Sequence, residues 1–539
     1  MIVPRPVKLE APGGAFELDA ATSLRARPGA ERAADLLRSS LAPATGLPLP
    51  PSPTGSIRFE LDATDGIEPE GYRLRIDEDG VHARAATEAG LFHAVQTIRQ
   101  LLPVEALSQN PAPAGVPWRI PYGRIDDAPR FAWRGFMLDV ARHFQPIPYL
   151  RRLVDVLAFH KLNVLHLHLT DDQGWRIEID RYPALTEVGA WRTESLIGPA
   201  GTSHRDGTPH GGFYTRAELR TLAAYADERG VRLVPEFNMP GHARAALAAY
   251  PELGNRPGER LPVWSDWGIS EHVFGVHDAA LGFCRNVLDE IMDTFPGQYV
   301  HVGGDECPTS EWKADPAARA RAAELGLAAP EDLYGWFVGQ MTGHILRAGR
   351  LPICWDEAVA GGTLDPAVTV MAWRDISYGT TAARRGHPVV MAPWRHTYLD
   401  YAQTDGPDER PGQPGRTTTL SDVYAFEPMH AFEPTNDSTN GPANASESAN
   451  GSANGFSNDS TNGPSNGFSV LGTQAQLWSE FARTPHDVDY LTFPRLCALA
   501  EVAWSAVPRD PADFQERLAG HLARLDALDV RHAMRAVTP

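Results

Sequence analysis

Tyr299-Val300-His301-Val302-Gly303-Gly304-Asp305-Glu306 is the stretch on which the reading of this chain turns. Apolar Val300 and Val302 mark a short buried strand, and two glycines let a ligand approach the backbone closely. Adjacent carboxylates then close the run. Such a pair supplies a proton donor and a charge stabiliser, the two requirements for breaking a glycosidic bond. Most Asp-Glu pairs are solvated loop charges, but the apolar flank predicts burial for this one.

The same pattern, an apolar run ended by polar or aromatic residues, recurs on both sides of it. Phe136–Val140, Val164–Leu169 and Val231–Phe237 precede it; Leu351–Trp355, Val368–Trp373, Pro388–Ala392 and Leu471–Trp478 follow. Runs of helical period lie between many of them, at Tyr149–His160, Arg216–Arg229, Ala279–Phe295 and, after the last, Phe493–Trp504. Eight short strands mostly separated by helices predict an α/β fold, a closed (β/α)8 TIM barrel. An open doubly wound sheet is the structural alternative, but no Gly-rich phosphate turn follows the first strand. Between the sixth and seventh strands the sequence is too short for a long helix.

Outside the barrel the organisation is simpler. Residues 1–125 mix period-two runs (Ser56–Leu61, Gly71–Ile76) with a helical one (Glu88–Leu102), which predicts a small α+β domain ending in a Pro-rich linker, Pro111–Pro121. The barrel is expected over 126–508 and a helical tail over 509–539. Within the barrel, 434–469 is almost pure Asn, Ser, Gly, Ala and Thr, and the heptapeptide Asn436–Pro442 recurs at Asn458–Pro464. That composition cannot bury enough apolar area to order itself, so a disordered surface insertion is expected. Its sequons at Asn436, Asn444, Asn450 and Asn458 carry meaning only in a glycosylating compartment.

The 539 residues carry a formal charge of -19, with 42% hydrophobic and 22% charged residues. Acidic balance and the lack of a dense basic run argue against nucleic acid as a partner. No apolar run reaches the length of a membrane span or a signal-peptide core, so a soluble, cytoplasmic protein is expected. Cys284, Cys307, Cys354 and Cys497 lie far apart and read as small buried thiols. Oligomeric state is not legible, because neither a coiled coil nor an extended apolar patch can be picked out.

In such a barrel, function lies at the carboxyl ends of the strands. Those ends carry Asp171-Asp172, Asn238 to His242, Asp305-Glu306, Trp355-Asp356-Glu357, Trp373-Arg374, Trp394 with Tyr398 and Asp400, and Trp478-Ser479-Glu480. Indoles pack against the C–H faces of sugars while carboxylates bind hydroxyls, so the face reads as a carbohydrate site. His166-x-His168 keeps a metal-dependent amidohydrolase open as an alternative. The favoured reading is two packed, hydrogen-bonded histidines, because no later set of ligands completes a metal site. A non-catalytic sugar-binding barrel is the other alternative.

Several long motifs, in order, resemble the family 20 glycoside hydrolases, the β-N-acetylhexosaminidases. They are Trp133–Phe144, His166–Arg176, Met239–His242, His301–Glu306 and Gln476–Glu480. The resemblance spans Arg130 to Trp504, and the preceding α+β unit looks like the domain that accompanies this barrel. It implies hydrolysis of terminal, non-reducing β-linked N-acetylglucosamine or N-acetylgalactosamine with retention, no metal and no cofactor. The substrate's own 2-acetamido oxygen would be the nucleophile, an exception to the two-carboxylate scheme. Alternation along an extended strand, which points Asp305 and Glu306 to opposite sides, agrees with that. By resemblance Glu306 is the acid/base, Asp305 holds the acetamido N–H, and Tyr398 donates to its carbonyl. Trp355, Trp373 and Trp478 wall the sugar; Arg134, Asp400 and Glu480 bind its outer hydroxyls; Asp171 and His242 support the acid. The family often has Asp where this chain has Asn238, which predicts that any charge partner for His242 is weakened or replaced. Gluco or galacto preference and the natural glycan are not legible.

Overall fold

The structure, a computed structural model, describes residues 1–64, 66–361, 364–432 and 468–534. Apart from Phe468 and Ser469, the expected insertion at 434–469 lies outside them. Eight parallel strands close a barrel in chain order: Trp133–Asp139, Val164–His168, Arg232–Glu236, Tyr299–His301, Leu351–Trp355, Thr369–Ala372, Val389–Met391 and Val470–Leu477. The eighth lies beside the first from the Gly472–Trp133 pair to the Leu477–Leu138 pair. All seven residues of the first strand are buried, as a strand covered on both faces requires. Trp133, Val164, Val234, Ile353, Met371 and Val390 fill the interior, while Leu138, Leu165 and Val370 join the core beneath the helices.

The short connection between the sixth and seventh strands holds a nine-residue helix, Ile376–Arg384. The Asp375 side chain caps it by accepting from Ser377 N at 3.0 Å. A Cβ at Gly379 would meet Met391 Sδ at 2.5 Å, so the missing side chain lets a short helix lie close on the sheet.

The N-terminal unit is a six-stranded mixed sheet, ordered Lys8–Glu10, Gly123–Asp127, Tyr72–Asp77, Gly80–Ala85, Ile57–Leu61, Leu24–Ala26. Helices Glu31–Thr45 and Glu88–Leu101 bury its apolar face. The stretch read as a linker is partly structured: Arg119–Pro121 pairs antiparallel with Ala15–Glu17. Fully buried ions tie the unit to the barrel. Lys161 Nζ reaches Asp127 Oδ2 at 2.7 Å, both 0% exposed, and Trp504 Nε1 donates to the same carboxylate at 3.0 Å. Removing one member of such a pair costs about 3–5 kcal/mol, because the other charge is left buried alone. The C-terminal helix Pro511–Ala527 returns to the start of the chain, where Arg517 bonds the Ile2 carbonyl at 3.1 Å. The four cysteines are unpaired. Among the described residues, no helix is long and apolar enough to cross a membrane.

Candidate active site

The fourth strand stops at His301, four residues before the carboxylate pair. Gly303 and Gly304 follow with φ of +68° and +88°, and Glu306 itself sits at +46°. A Cβ on Gly303 would lie 1.8 Å from Asn238 Oδ1, so glycine is obligatory there for contact as well as conformation. The alternation argument therefore fails, since Asp305 and Glu306 are on a left-handed turn and not on a strand. Both carboxyls approach one imidazole: His242 Nε2 is 3.7 Å from Glu306 Oε2 and 3.9 Å from Asp305 Oδ2. His242 also has positive φ, +51°. Such conformations in non-glycine residues persist only where surrounding structure enforces them, and they cluster at functional sites.

Burial holds the Asp305 carboxyl above its ordinary range, while His242 and an Asn238 Nδ2–H bond of 2.8 Å pull it back. Asn238 is thus a clamp on Asp305, and its Oδ1 accepts from Gly304 N at 3.2 Å. Of the two outcomes expected from the lost charge, a weakened or a replaced partner, the structure has a different carboxylate on His242: Asp171, Nδ1 to Oδ1 at 3.1 Å. Burial opposes the imidazolium, but Asp171, Asp172 and Asp305 together raise His242 well above its usual value. The Glu306 side chain is 38% exposed at the rim of the site. Its pKa is raised by desolvation first and by the Asp305 charge second, as a proton donor requires.

Arg134 is not in this site. It lies at the amino end of the first strand, fully buried, with Nε on the Lys161 carbonyl and Nη2 on Glu70 of the N-terminal unit at 2.5 Å. Its guanidinium rests 5.1 Å over Trp504. A strand residue's barrel end is set by its distance from the strand terminus, and Arg134 is the second of seven. Arg142, three residues past the carboxyl end, occupies the mouth instead. Nη2 is 2.9 Å from Asp171 Oδ2, Nη1 3.4 Å from Asp139 Oδ2, and the group lies 5.0 Å over Trp478. Both arginines fall within the quoted motif Trp133–Phe144; only their position relative to the strand separates them.

The remaining predicted residues converge. Trp373 stacks on Tyr398 at 6.0 Å and 17°, Tyr398 meets Trp478 at 6.2 Å, and Trp478 meets Trp355 at 6.1 Å, which makes one continuous aromatic wall. Trp394 stands apart, beside Tyr401 at 5.9 Å. Burial raises the Tyr398 hydroxyl well above its ordinary pKa, so it is a donor at neutral pH. Asp400 is raised well above the carboxylate range by burial and by Glu480; Glu480 is raised by burial against the pull of Arg142. Asp400 Oδ1 and Glu480 Oε2 are buried without a hydrogen-bond partner among the described residues. Buried acceptors of this kind are costly unless a ligand donates to them.

Three supports are given no role by the sequence reading, which names Glu357 at a strand end but neither Glu236 nor Tyr334 as part of the face. Glu236, at the end of the third strand, accepts from Trp355 Nε1 at 2.9 Å and faces His168 Nδ1 at 2.7 Å. His168 Nε2 lies 2.9 Å from Asp171 Oδ2, so both ring nitrogens meet carboxylates. Burial opposes its charge, yet Glu236 and Asp171 raise His168 to about 10. An imidazolium has no lone pair for a metal. The chain Glu236–His168–Asp171–His242 thus runs from the aromatic wall to the acid. Glu357 accepts from Trp373 Nε1 at 2.9 Å and is raised to about 8 by burial, Asp305 and Asp356. Tyr334 donates to the Gly304 carbonyl and steadies the turn before Asp305. The positional rule picks out Glu357 and has Glu236, the last residue of its strand, within reach; Tyr334, on a helix, lies outside it.

Residues 131–507 match the family model described as glycosyl hydrolase family 20, catalytic domain, and residues 1–128 match its domain 2. The chain belongs to glycosyl hydrolase family 20. A beta-hexosaminidase of Porphyromonas gingivalis is 37% identical over 97% of this chain; the chain spans 63% of that relative's length. A beta-N-acetylhexosaminidase of Cellulomonas fimi is 34% identical over 98% of this chain and 95% of its own. The solved structure of a family 20 exo beta-N-acetylglucosaminidase from Vibrio harveyi, in complex with N-acetylglucosamine, matches with a TM-score of 0.83. Its identity is 31%, over 99% of this chain and 78% of that one. The family 20 barrel and its small N-terminal companion are therefore the architecture of this glycoside hydrolase.

Proposed function

We propose that this chain removes terminal, non-reducing β-linked N-acetylglucosamine or N-acetylgalactosamine from a glycan or oligosaccharide, with retention. The observation that carries the reading is the left-handed turn that puts Asp305 and Glu306 3.9 and 3.7 Å from one imidazole, with Tyr398 and its aromatic wall close enough to feel the Asp305 charge. The acetamido carbonyl oxygen attacks the anomeric carbon as the glycosidic C–O bond breaks, and the Glu306 proton passes to the leaving oxygen. Asp305 accepts from the acetamido N–H and balances the positive charge of the cyclic oxazolinium intermediate. Tyr398 donates to the carbonyl oxygen. Water then adds to the anomeric carbon, Glu306 takes its proton, and the amide re-forms. General acid help of this kind is worth roughly 10²–10⁴-fold. Arg142, Asp400 and Glu480 bind the outer hydroxyls, and Trp355, Trp373 and Trp478 enclose the ring.

Nitrophenyl β-glycosides with and without the 2-acetamido group test this. Turnover is expected only where the group is present, with strong inhibition by a thiazoline mimic of the intermediate. Equal turnover of the plain 2-hydroxyl sugar would sink it.

A further inference from the structure

The outer face of the N-terminal sheet takes no part in the site above. Ile57, Phe59, Leu74, Ile76, Val81 and Ala83 are buried in the core beneath the two helices, so the side chains between them point outward. Strand register aligns five of these in a row across the sheet: Arg25 opposite Arg58, Arg58 opposite His82, His82 opposite Arg75, and Arg75 opposite Arg124. With strands about 4.8 Å apart, the row is about 19 Å long.

Like charges directly opposite one another destabilise a sheet, and the adjacent row shows how this fold relieves the problem. There Arg84 and Arg73 also face each other, but Glu60 and Asp126 flank them: Arg84 Nε is 3.6 Å from Glu60, Arg27 Nε 3.5 Å from Glu60, and Arg73 Nε 3.5 Å from Asp126. The first row has no carboxylate in register until Glu10 on the edge strand. Arg75 borrows Asp77 from its own strand at 3.2 Å. Arg25, Arg58 and Arg124 form no ion pair among the described residues. Burial first, then Arg58 and Arg75, depress the His82 pKa against the opposing pull of Asp77 and Asp79. Together the two rows line a shallow depression of about 650 Å³. It sits on a chain whose net charge is -19, so general basicity does not explain it.

We propose that this face is a docking surface for a linear acidic polysaccharide, whose carboxylate or sulfate groups supply the counter-charges that the first row lacks. Alternate strands are about 10 Å apart, which suits charges spaced along a sugar chain. A nucleic acid fits less well. Among the described residues the depression's one phenyl ring, Phe59, is fully buried on the opposite face and no Tyr or Trp lines it, which leaves the His82 imidazole as its single ring for base stacking. The flanking carboxylates Glu60 and Asp126 add acceptors for sugar hydroxyls beside the arginines.

Binding of the full chain to dextran sulfate, polygalacturonate, neutral dextran and duplex DNA, at low and physiological salt, tests this. The expectation is binding to the acidic glycans that weakens as salt rises, with none to neutral dextran. In the triple variant Arg58→Glu, Arg75→Glu, Arg124→Glu, affinity should fall on the order of a hundredfold, with turnover of a nitrophenyl glycoside and the melting temperature unchanged. The milder Arg75→Gln, Arg124→Gln variant should lose about tenfold and guards against a folding failure of the first. Absence of binding to both acidic glycans at low salt overturns the proposal. So does binding that both variants retain, or DNA bound more tightly than either glycan.

Discussion

The first barrel strand has a buried arginine near each end, and the two do opposite work. Arg134, at the amino end, locks the barrel to the N-terminal unit through Glu70 and touches nothing at the mouth. Arg142, past the carboxyl end, holds Asp171 and Asp139 while leaving Glu480 an unpartnered oxygen. Both pay desolvation and recover it from carboxylates. What differs is whether the surrounding polar atoms are all satisfied. At the base they are bonded by protein; at the mouth several wait for a ligand. Stability and function are thus divided along one strand, as barrel architecture predicts.

The largest effect that sharpens this contrast belongs wholly to the mouth. Glu306→Gln should cut hydrolysis of substrates with poor leaving groups by up to about 10⁴-fold, and of activated aryl glycosides far less. Equal losses in steady-state assays of the two classes would remove Glu306 as the acid. Next comes the base: Arg134→Ala should lower unfolding free energy by about 3–5 kcal/mol in denaturant titrations, with kcat/KM of the folded enzyme within about twofold. Arg142→Ala should reverse that pattern, losing on the order of a hundredfold in kcat/KM. If Arg134→Ala were the variant that lost catalysis, the division between ends would be broken.

Smaller effects should appear in pH dependence. Asn238→Asp places a second carboxylate beside Asp305, so the Asp305 pKa rises and the acid limb of the kcat profile should move up by about one unit. The wild-type limb unmoved in that variant would deny Asn238 its clamp role. Stability should respond differently at the two ends. His168, raised from 6.5 to about 10, contributes stability that is full below pH 6.5 and lost as pH climbs through 10. Burial opposes ionisation of Glu70, but Arg134 depresses its pKa far below the ordinary 4.5; its contribution is present above 4.5 and lost on acidification. Melting temperatures should therefore fall from pH 7 toward 10, less so in His168→Gln, and fall below pH 4.5, less so in Arg134→Ala. Identical alkaline curves for wild type and His168→Gln would argue against a charged His168.

The barrel was legible in the sequence because a strand buried on both faces must be an apolar run, and eight such runs with helical spacers admit few closures. Its mouth was legible for a related reason: polar and aromatic residues at the ends of buried runs have nowhere else to gather. Asp305, Glu306, Tyr398, Asp400, Glu480 and the three tryptophans came from that rule together with the family motifs. Tertiary structure alone decided the rest. The apolar run Phe136–Val140 already put Arg134 ahead of its strand, at the amino end, and only the family resemblance carried it to the mouth; that Arg142 stands there instead was decided by the structure. That Asn238 grips Asp305 while His242 leans on Asp171 depends on a left-handed turn, which two glycines permit but do not compel. The cationic row of the N-terminal sheet is invisible in any one strand, because only cross-strand register brings Arg25, Arg58, His82, Arg75 and Arg124 side by side.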